Sequence, residues 1–155
     1  MTENTTDLIQ VLEEDASVSY ISPSSIEILQ LSPDDMIGRN LLECIYEEDK
    51  KKAKLMLSKL SENKTSDVFE IRYVTKDLRH KWFEVKGTCE RDNNEKRFIL
   101  VSRDISDRKN YEEELKRLAF HDPLTGLPNR RLFIEQLMNE LKKQIKFMNP
   151  LRYFI

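Results

Sequence analysis

The sequence predicts an α+β fold, in which a five-stranded antiparallel sheet carries helices on one face and further helices follow towards the C-terminus. Five strand-like runs lie between Leu8 and Ile105, and a helical block separates the first two runs from the last three. Charged residues make up 35% of the chain, where about 25% is usual, which favours extra solvated surface such as protruding helices.

The first elements are two short strands and two short helices. The runs LIQVLE and SVSYIS have strand-like composition, and the pair Glu14 and Asp15 between them predicts the turn of a hairpin. Ser22 and Ser32 each precede a proline, so each hydroxyl is predicted to cap a short helix. Asp35 lies three residues after Ser32 and completes the pattern of a capping box.

One longer amphipathic helix and three strands complete the predicted sheet. Apolar side chains fall at i, i+3, i+4 and i+7 behind an acidic start, at Ala53, Met56, Leu57 and Leu60. After the polar break SENKTS come the strand-like runs DVFEIRYVT, KWFEVKGTCE and KRFILVSRDIS. The polar segments KDLRH and RDNNE separate these runs and predict turns.

Two helices are predicted beyond the sheet. On the first, Tyr111, Leu115 and Leu118 form one apolar row, with Glu112 and Lys116, and Glu113 and Arg117, as favourable i, i+4 pairs. This row either pairs with a second chain or folds back on its own sheet. The second helix is predicted from Asn129 to before Pro150, with three lysines near its C-terminal end. Its apolar row comprises Leu132, Phe133, Leu137, Leu141, Ile145 and Met148.

Composition excludes several function classes. The formal net charge is −2, and the two signs are interleaved apart from the run Lys50, Lys51, Lys52, so we expect no nucleic-acid partner. Cys44 and Cys89 have no C-x-x-C spacing, which signals neither a zinc site nor a disulfide framework. No long apolar run or secretory leader is visible, so we expect a soluble, cytoplasmic chain with no membrane partner.

Residues 1–107 resemble a PAS domain, a small sensory module with a five-stranded antiparallel sheet. The resemblance rests on six segments in the family's order. They are VSYISPSS, MIGRNL, YEEDKKK, FEIRYVTKD, KWFEVKG and SRDISDRKNYEEEL. The resemblance implies a sensor whose inner sheet surface faces the longer helix. The side chains expected on that surface are the candidates for ligand contact: Met56, Leu57, Leu60, Phe69, Ile71, Phe83, Val85, Leu100 and Ser102.

The sequence names no cofactor. The segment IGRNLLEC resembles the G-R-N-C stretch of flavin-binding light sensors, but Leu41 occupies the position of the adduct-forming cysteine and Cys44 lies three residues later. This disfavours flavin adduct chemistry. Haem is disfavoured because His80 is predicted in a turn and His121 in the connector, away from the helices that would line a pocket. A small-molecule ligand and a ligand-free interaction surface both stay open.

A second resemblance begins near the end of the chain. The segment RLAFHDPLTGLPNRRLF is similar to the start of a GGDEF domain, the diguanylate cyclase module that condenses two GTP molecules into cyclic di-GMP. Gly126 can adopt positive φ in the predicted turn, and Asn129 is suited to cap the following helix. The resemblance divides the chain into a sensor (1–107), a connector helix (108–121) and a truncated N-terminal segment of a GGDEF domain (122–155).

The two resemblances together predict a sensory and dimerisation module that controls cyclic di-GMP synthesis in a parent diguanylate cyclase. The chain itself is expected to be no enzyme, because the resemblance places the family's metal-binding carboxylates and its Gly-Gly signature further along the domain. The three glycines of this chain, Gly38, Gly87 and Gly126, form no adjacent pair. A homodimer is expected. The residues assigned to signal relay are Asp104, Ile105, Tyr111, Leu115, Leu118, Asp122, Leu124, Thr125, Asn129 and Arg130.

Two alternatives come from other function classes. One is a ligand-free protein-interaction PAS module. The other is a histidine kinase sensor fragment, since His121 precedes an acidic residue and Pro123, superficially like a phosphoacceptor box. That box requires the helix to continue, whereas Pro123 and Gly126 predict a break.

Overall fold

The computed structural model describes residues 7–63, 65, 67–92 and 95–148. The strands are β1 (Leu8–Leu12), β2 (Val18–Ile21), β3 (Phe69–Val74), β4 (His80–Asp92) and β5 (Glu95–Asp104). The α-helices are α1 (Ser25–Leu29), α2 (Pro33–Met36), α3 (Lys50–Asn63), α4 (Ser106–Phe120) and α5 (Arg130–Met148). Two short 3₁₀ helices, Leu41–Cys44 and Glu47–Asp49, precede α3.

The five strands form one antiparallel sheet in the order β2-β1-β5-β4-β3. Its centre is the β4–β5 pair, which runs from Phe83 opposite Asp104 to Asp92 opposite Glu95. Side chains alternate between a buried inner face and an outer face, as in the pattern of β3, where every second residue is buried. Helix α3 packs on the inner face against β3, β4 and β5. The predicted α+β class with five antiparallel strands is therefore confirmed.

The predicted hairpin turn between β1 and β2 is confirmed, and so is one of the two helix caps. Ser32 caps α2, because its Oγ accepts a hydrogen bond from Asp35 N while Asp35 Oδ2 accepts one from Ser32 N. The prediction for Ser22 is wrong. Helix α1 begins at Ser25, and the Ser22 hydroxyl instead accepts a hydrogen bond from Ile9 N at 3.0 Å, so its side chain supports the sheet.

The predicted boundaries of the central elements need three corrections. Helix α3 continues through Asn63, so the break after it is shorter than the segment SENKTS. The β4–β5 hairpin is tighter than predicted, because strand pairing continues to Asp92 and Glu95. His80, predicted in a turn, is the first residue of β4 and pairs with Val74.

The chain divides into two compact units, Met1–Lys109 and Asn110–Ile155. In the second unit, α5 extends from Arg130 to Met148, as the spacing predicts. Phe133, Leu137, Leu141 and Ile145 on its apolar row are exposed. The Met148 side chain lies outside the described residues, as does the segment from Asn149 onward. No helix in the described ranges is long and apolar enough to cross a membrane.

Candidate functional site

The nine predicted pocket residues all lie in the core of the first unit. Phe83, Val85, Leu100 and Ser102 face inward from the two central strands, so the predicted strand phase is correct. The other five are Met56, Leu57, Leu60, Phe69 and Ile71. Their burial is also what an ordinary core requires, so their contact with a ligand stays a prediction.

A polar cluster on the inner face was missed by sequence reasoning except for Ser102. Gln10 of β1 is fully buried, and its Oε1 accepts a hydrogen bond from the Tyr73 hydroxyl at 2.9 Å. Tyr73 belongs to the edge strand β3, three strand spacings from β1, so the Tyr73 and Gln10 side chains reach towards each other and together bridge the inner face. The ring contacts Phe83 edge to face at 4.9 Å between centroids. This hydrogen bond therefore links two strands that are not neighbours in the sheet.

The cluster has unused hydrogen-bonding capacity. Gln10 Nε2 and Ser102 Oγ are buried and have no hydrogen-bond partner, and the same holds for Ser25 Oγ in α1. Burial raises the pKa of the Tyr73 phenol, so the phenol stays neutral. An unpartnered buried amide costs about 1–3 kcal/mol, and a water or a small ligand with an acceptor oxygen would recover that cost.

Space beside this cluster is limited by close packing of α3 on the sheet. Gly87 of β4 lies where a Cβ atom would be 2.7 Å from Leu60 Cδ1 and 2.7 Å from Leu100 Cδ2. A Cβ atom at this position would force the ends of the Leu60 and Leu100 side chains to shift, which favours glycine inside this strand.

Of the positions considered for flavin and haem chemistry, Leu41 and Cys44 lie in the core and His80 lies on the surface. Leu41 is fully buried, and the Cys44 thiol lies 3.4 Å from Met36 Sδ. Burial raises the pKa of the Cys44 thiol, so this sulfur is a protonated core group. His80 is exposed at the start of β4. In the described ranges, no group of three or more His, Cys, Asp or Glu side chains is placed to hold a metal ion.

The junction between the sheet and α4 contains Asp104 and Ile105, both predicted as relay residues. Asp104 caps α4, because its Oδ1 accepts a hydrogen bond from Ser106 N at 2.9 Å, and its Oδ2 lies 3.1 Å from Lys81 Nζ. Burial raises the pKa of Asp104, but the hydrogen bonds from Ser106 and Lys81 outweigh this and hold it below its ordinary value. Ile105 is buried, and its N–H donates to the Trp82 carbonyl. The helix thus starts at a fixed point.

The first turn of α4 is also held to the outer face of the sheet. Glu70 of β3 accepts hydrogen bonds from Arg108 Nη2 at 2.8 Å and from Lys109 Nζ at 2.6 Å. The Lys109 ammonium lies 5.1 Å from the centre of the Trp82 ring. Sequence patterns gave no sign of this contact, because Glu70 precedes its partners by 38 and 39 residues.

The apolar row of α4 is exposed after this first turn. Tyr111, Leu115 and Leu118 have 72%, 66% and 50% of their surface accessible. The predicted pair of Glu113 with Arg117 is wrong, because Arg117 instead binds Glu114 through two hydrogen bonds of 2.9 and 2.8 Å.

The turn after α4 explains three of the predicted relay residues, Asp122, Thr125 and Asn129. Asp122 Oδ1 accepts hydrogen bonds from the N–H groups of Leu124 and Thr125, and these bonds lower the Asp122 pKa. Gly126 adopts φ of +68°, as predicted. Asn129 caps α5 by accepting from Leu132 N at 3.0 Å, and its side chain also donates to Ala119 O.

The exposed side chains of this turn and the end of α4 bear on the predicted signal relay and on the histidine kinase alternative. Leu124 and Leu127 are 94% and 64% exposed, and Arg130 is exposed as well. Helix α4 ends at Phe120, directly before His121, so the helix does not continue past the histidine as a phosphoacceptor box requires.

Comparison with known proteins agrees with the fold and the core described above. The family model described as "PAS fold" matches residues 1–105. The PAS domain of an HTR-like protein from Haloarcula marismortui is 27% identical, with a TM-score of 0.57, over 66% of this chain and 84% of that chain. The PAS-B domain of a Drosophila melanogaster Cycle variant with bound glycerol is 14% identical, with a TM-score of 0.57.

The Drosophila match covers 63% of this chain and 98% of that chain, and at its low identity it supports the fold alone. No curated protein matches the chain. The family match includes the whole sheet, the polar cluster of Gln10, Tyr73 and Ser102, and the residues Asp104 and Ile105 at the junction with α4. A PAS domain is a sensory and regulatory module without catalytic chemistry of its own, and this chain belongs to the PAS family.

Proposed function

We propose that this chain is the sensory and dimerisation module of a signalling protein that controls cyclic di-GMP synthesis. In this proposal residues 1–107 sense, residues 108–121 connect, and residues 122–155 form the N-terminal segment of a GGDEF domain. The parent protein is a diguanylate cyclase, while the chain itself forms no cyclic di-GMP.

The observation that carries the proposal is the exposed apolar row of α4. Tyr111, Leu115 and Leu118 lie on one side of a helix that starts at the sensor sheet and ends at the Asp122 turn. A solvated helix gains nothing from such a row unless another surface covers it. Pairing with the same row of a second chain would bury it and would bring two output domains together. Two GTP molecules must meet face to face for condensation, so this geometry suits the reaction.

The turn after α4 supports the output half of the proposal. Asp122, Thr125, Gly126 and Asn129 are explained by the turn itself, but the exposed Leu124 is not. Leu124 and Leu127, 94% and 64% exposed, place two apolar side chains in solvent within one turn, which fits a segment that packs against further structure.

The sensory half is supported by the buried polar cluster. Gln10 Nε2 and Ser102 Oγ can bind an acceptor oxygen on the inner face of the sheet, beside the Tyr73 hydroxyl. No charged side chain belongs to this cluster, which suits an uncharged ligand because a buried ion would lack a counter-charge. The Tyr73 ring lies on the same face and takes up part of the space, so the face suits a ligand of few atoms.

A second candidate function is a ligand-free protein-interaction module. The observation that favours it is the close packing at Gly87 and the position of the Tyr73 ring, which together fill the inner face with the protein's own side chains. Native mass spectrometry of the purified chain separates the two functions. A retained small molecule supports the sensor with a ligand, and the bare polypeptide mass together with a captured protein partner supports the alternative.

The relay and dimer claims are tested by charge on the row of α4. Leu115→Asp and Leu118→Asp should each lower the dimer fraction of this chain in sedimentation velocity, and should change the GTP condensation rate of the full-length protein. Asn110→Asp adds the same charge away from the row and is the matched control. If all three variants sediment and condense GTP as the wild type does, α4 is only a tether.

A further inference from the structure

We propose that Glu70 is a positioning residue that fixes the direction in which α4 leaves the sensor. The inference rests on the proposed relay through α4 and adds a residue that neither the sequence resemblance nor the family match assigns. Glu70 acts through the first turn of the helix and contacts no ligand.

Glu70 holds two consecutive cations of that turn. Its two carboxylate oxygens bind Arg108 Nη2 at 2.8 Å and Lys109 Nζ at 2.6 Å, one partner each. Two contacts to successive helical residues restrict rotation of the turn more than one contact would, because the partners project about 100° apart around the helix axis. The hydrogen bond from Lys109 holds the pKa of the Glu70 carboxyl below its ordinary range, so the residue is charged at neutral pH.

The neighbouring carboxylates contribute differently. Glu84 lies 3.7 Å from Arg108 Nη1, beyond hydrogen-bond distance, and we expect it to contribute less. Asp104 caps the helix and so fixes where α4 begins, whereas Glu70 lies two strands away in the sheet and fixes where the turn points. The two carboxylates thus constrain different degrees of freedom.

Trp82 connects this contact to the start of α3. The Lys109 ammonium lies 5.1 Å from the Trp82 ring centre, and the Arg72 guanidinium lies 5.0 Å from it. Arg72 in turn binds Asp49, the residue before α3. Arg72 of β3 and Trp82 of β4 therefore link the beginning of α3 to the beginning of α4.

A second contact joins Glu70 itself to α3. Lys52 Nζ donates to the Glu70 carbonyl oxygen at 2.6 Å. Because β3 is an edge strand, a shift of α3 on the sheet can move Glu70 without breaking the central β4–β5 pairing. A change in the core beneath α3 would thereby reach the first turn of α4.

Amide hydrogen exchange on this chain tests the proposal. Glu70→Gln keeps the side-chain size and removes the charge, and should speed exchange at the amides of residues 109–111 between about 2-fold and about 10-fold. Glu84→Gln removes the same charge from the adjacent strand and should change these amides less than about 2-fold. Emission from Trp82, the only tryptophan, should change in Glu70→Gln and not in a Glu90→Gln control.

A charge-reversal rescue separates positioning from a general loss of stability. Glu70→Lys should loosen the turn more than Glu70→Gln does, and adding Arg108→Glu with Lys109→Glu should bring exchange back to within about 2-fold of wild type. Exchange of core amides on β4 and β5 should stay unchanged in all variants. Equal exchange at residues 109–111 in Glu70→Gln and wild type would overturn the proposal.

This test does not depend on cyclic di-GMP. If Glu70→Gln loosens the turn while the Leu115→Asp and Leu118→Asp variants leave GTP condensation unchanged, the proposed relay through α4 is wrong and the positioning role of Glu70 is supported. If the turn is unaffected and the row variants alter condensation, the relay stands and Glu70 has no part in it.

Discussion

The hydrogen bond between Tyr73 and Gln10 allows a quantitative test of the buried polar cluster. Tyr73→Phe removes the donor and keeps the ring, so it leaves Gln10 Oε1 unpartnered in a fully buried position. Leaving a buried acceptor unsatisfied costs about 1–3 kcal/mol, so the free energy of unfolding should fall by that amount. Tyr20→Phe makes the same chemical change on the outer face, where Tyr20 is 48% exposed, and should shift it by less than about 0.5 kcal/mol.

The partner substitution completes a double-mutant cycle. Gln10→Leu removes the acceptor and also the unpartnered Nε2, so the variant with both changes leaves no unsatisfied group of this pair. The double variant should therefore be less destabilised than the sum of the single variants by about 1–3 kcal/mol. Urea denaturation followed by Trp82 fluorescence measures all four proteins. Additive single effects, or a Tyr73→Phe variant as stable as Tyr20→Phe, would refute the reasoning.

Four further predictions concern the stability, the catalytic activity and the self-association of the chain. A hydrogen bond from Arg72 lowers the pKa of Asp49 in the folded protein. Near pH 4 the unfolded chain therefore binds more protons than the folded protein does. The Asp49 carboxylate contributes its full stabilisation of the fold above this pH and progressively less below it. The stability difference between wild type and Asp49→Asn, from urea titrations, should therefore shrink as pH falls from 6 to about 3, and a constant difference would contradict this. Gly87→Ala should cost about 1–3 kcal/mol by overpacking, and less in a Leu60→Ala background; equal costs in both backgrounds would argue against the close contact. With GTP and Mg²⁺ this chain should yield no cyclic di-GMP above a protein-free blank, and product would remove the basis for calling it non-catalytic. In ultracentrifugation this chain should associate more strongly than one ending at Phe120, because the exposed row of α5 is worth about 1.5–3 kcal/mol per buried side chain; equal association would exclude α5 as a contact.

Local patterns were sufficient for the elements and for the inner face of the sheet. The alternation in β3 and β5 identified Phe69, Ile71, Leu100 and Ser102 as inward-facing, because a period of two leaves only two choices of phase. Spacing also identified Asn129 as the cap of α5, since a cap acts within three residues.

Long-range partners could not be read from such patterns. Gln10 looks like an ordinary polar residue in a strand, and its partner Tyr73 lies 63 residues away. Glu70 looks like a solvated strand residue, and only the sheet order brings it to the first turn of α4. The prediction that Ser22 caps a helix was wrong for a similar reason. A serine hydroxyl can cap a helix or accept a hydrogen bond from a neighbouring strand, and the long-range hydrogen bond from Ile9 N shows that Ser22 does the second.

Control of cyclic di-GMP synthesis by the sensor is tested most directly by the initial rate of cyclic di-GMP formation from GTP. We would compare this rate between the full-length protein and a form that lacks residues 7–105. We expect both forms to produce cyclic di-GMP at rates that differ by about 3-fold or more, since removing the sensor changes how two output domains are held together. Equal rates would contradict control by the sensor, and the absence of product from both forms would contradict the assignment to cyclic di-GMP signalling.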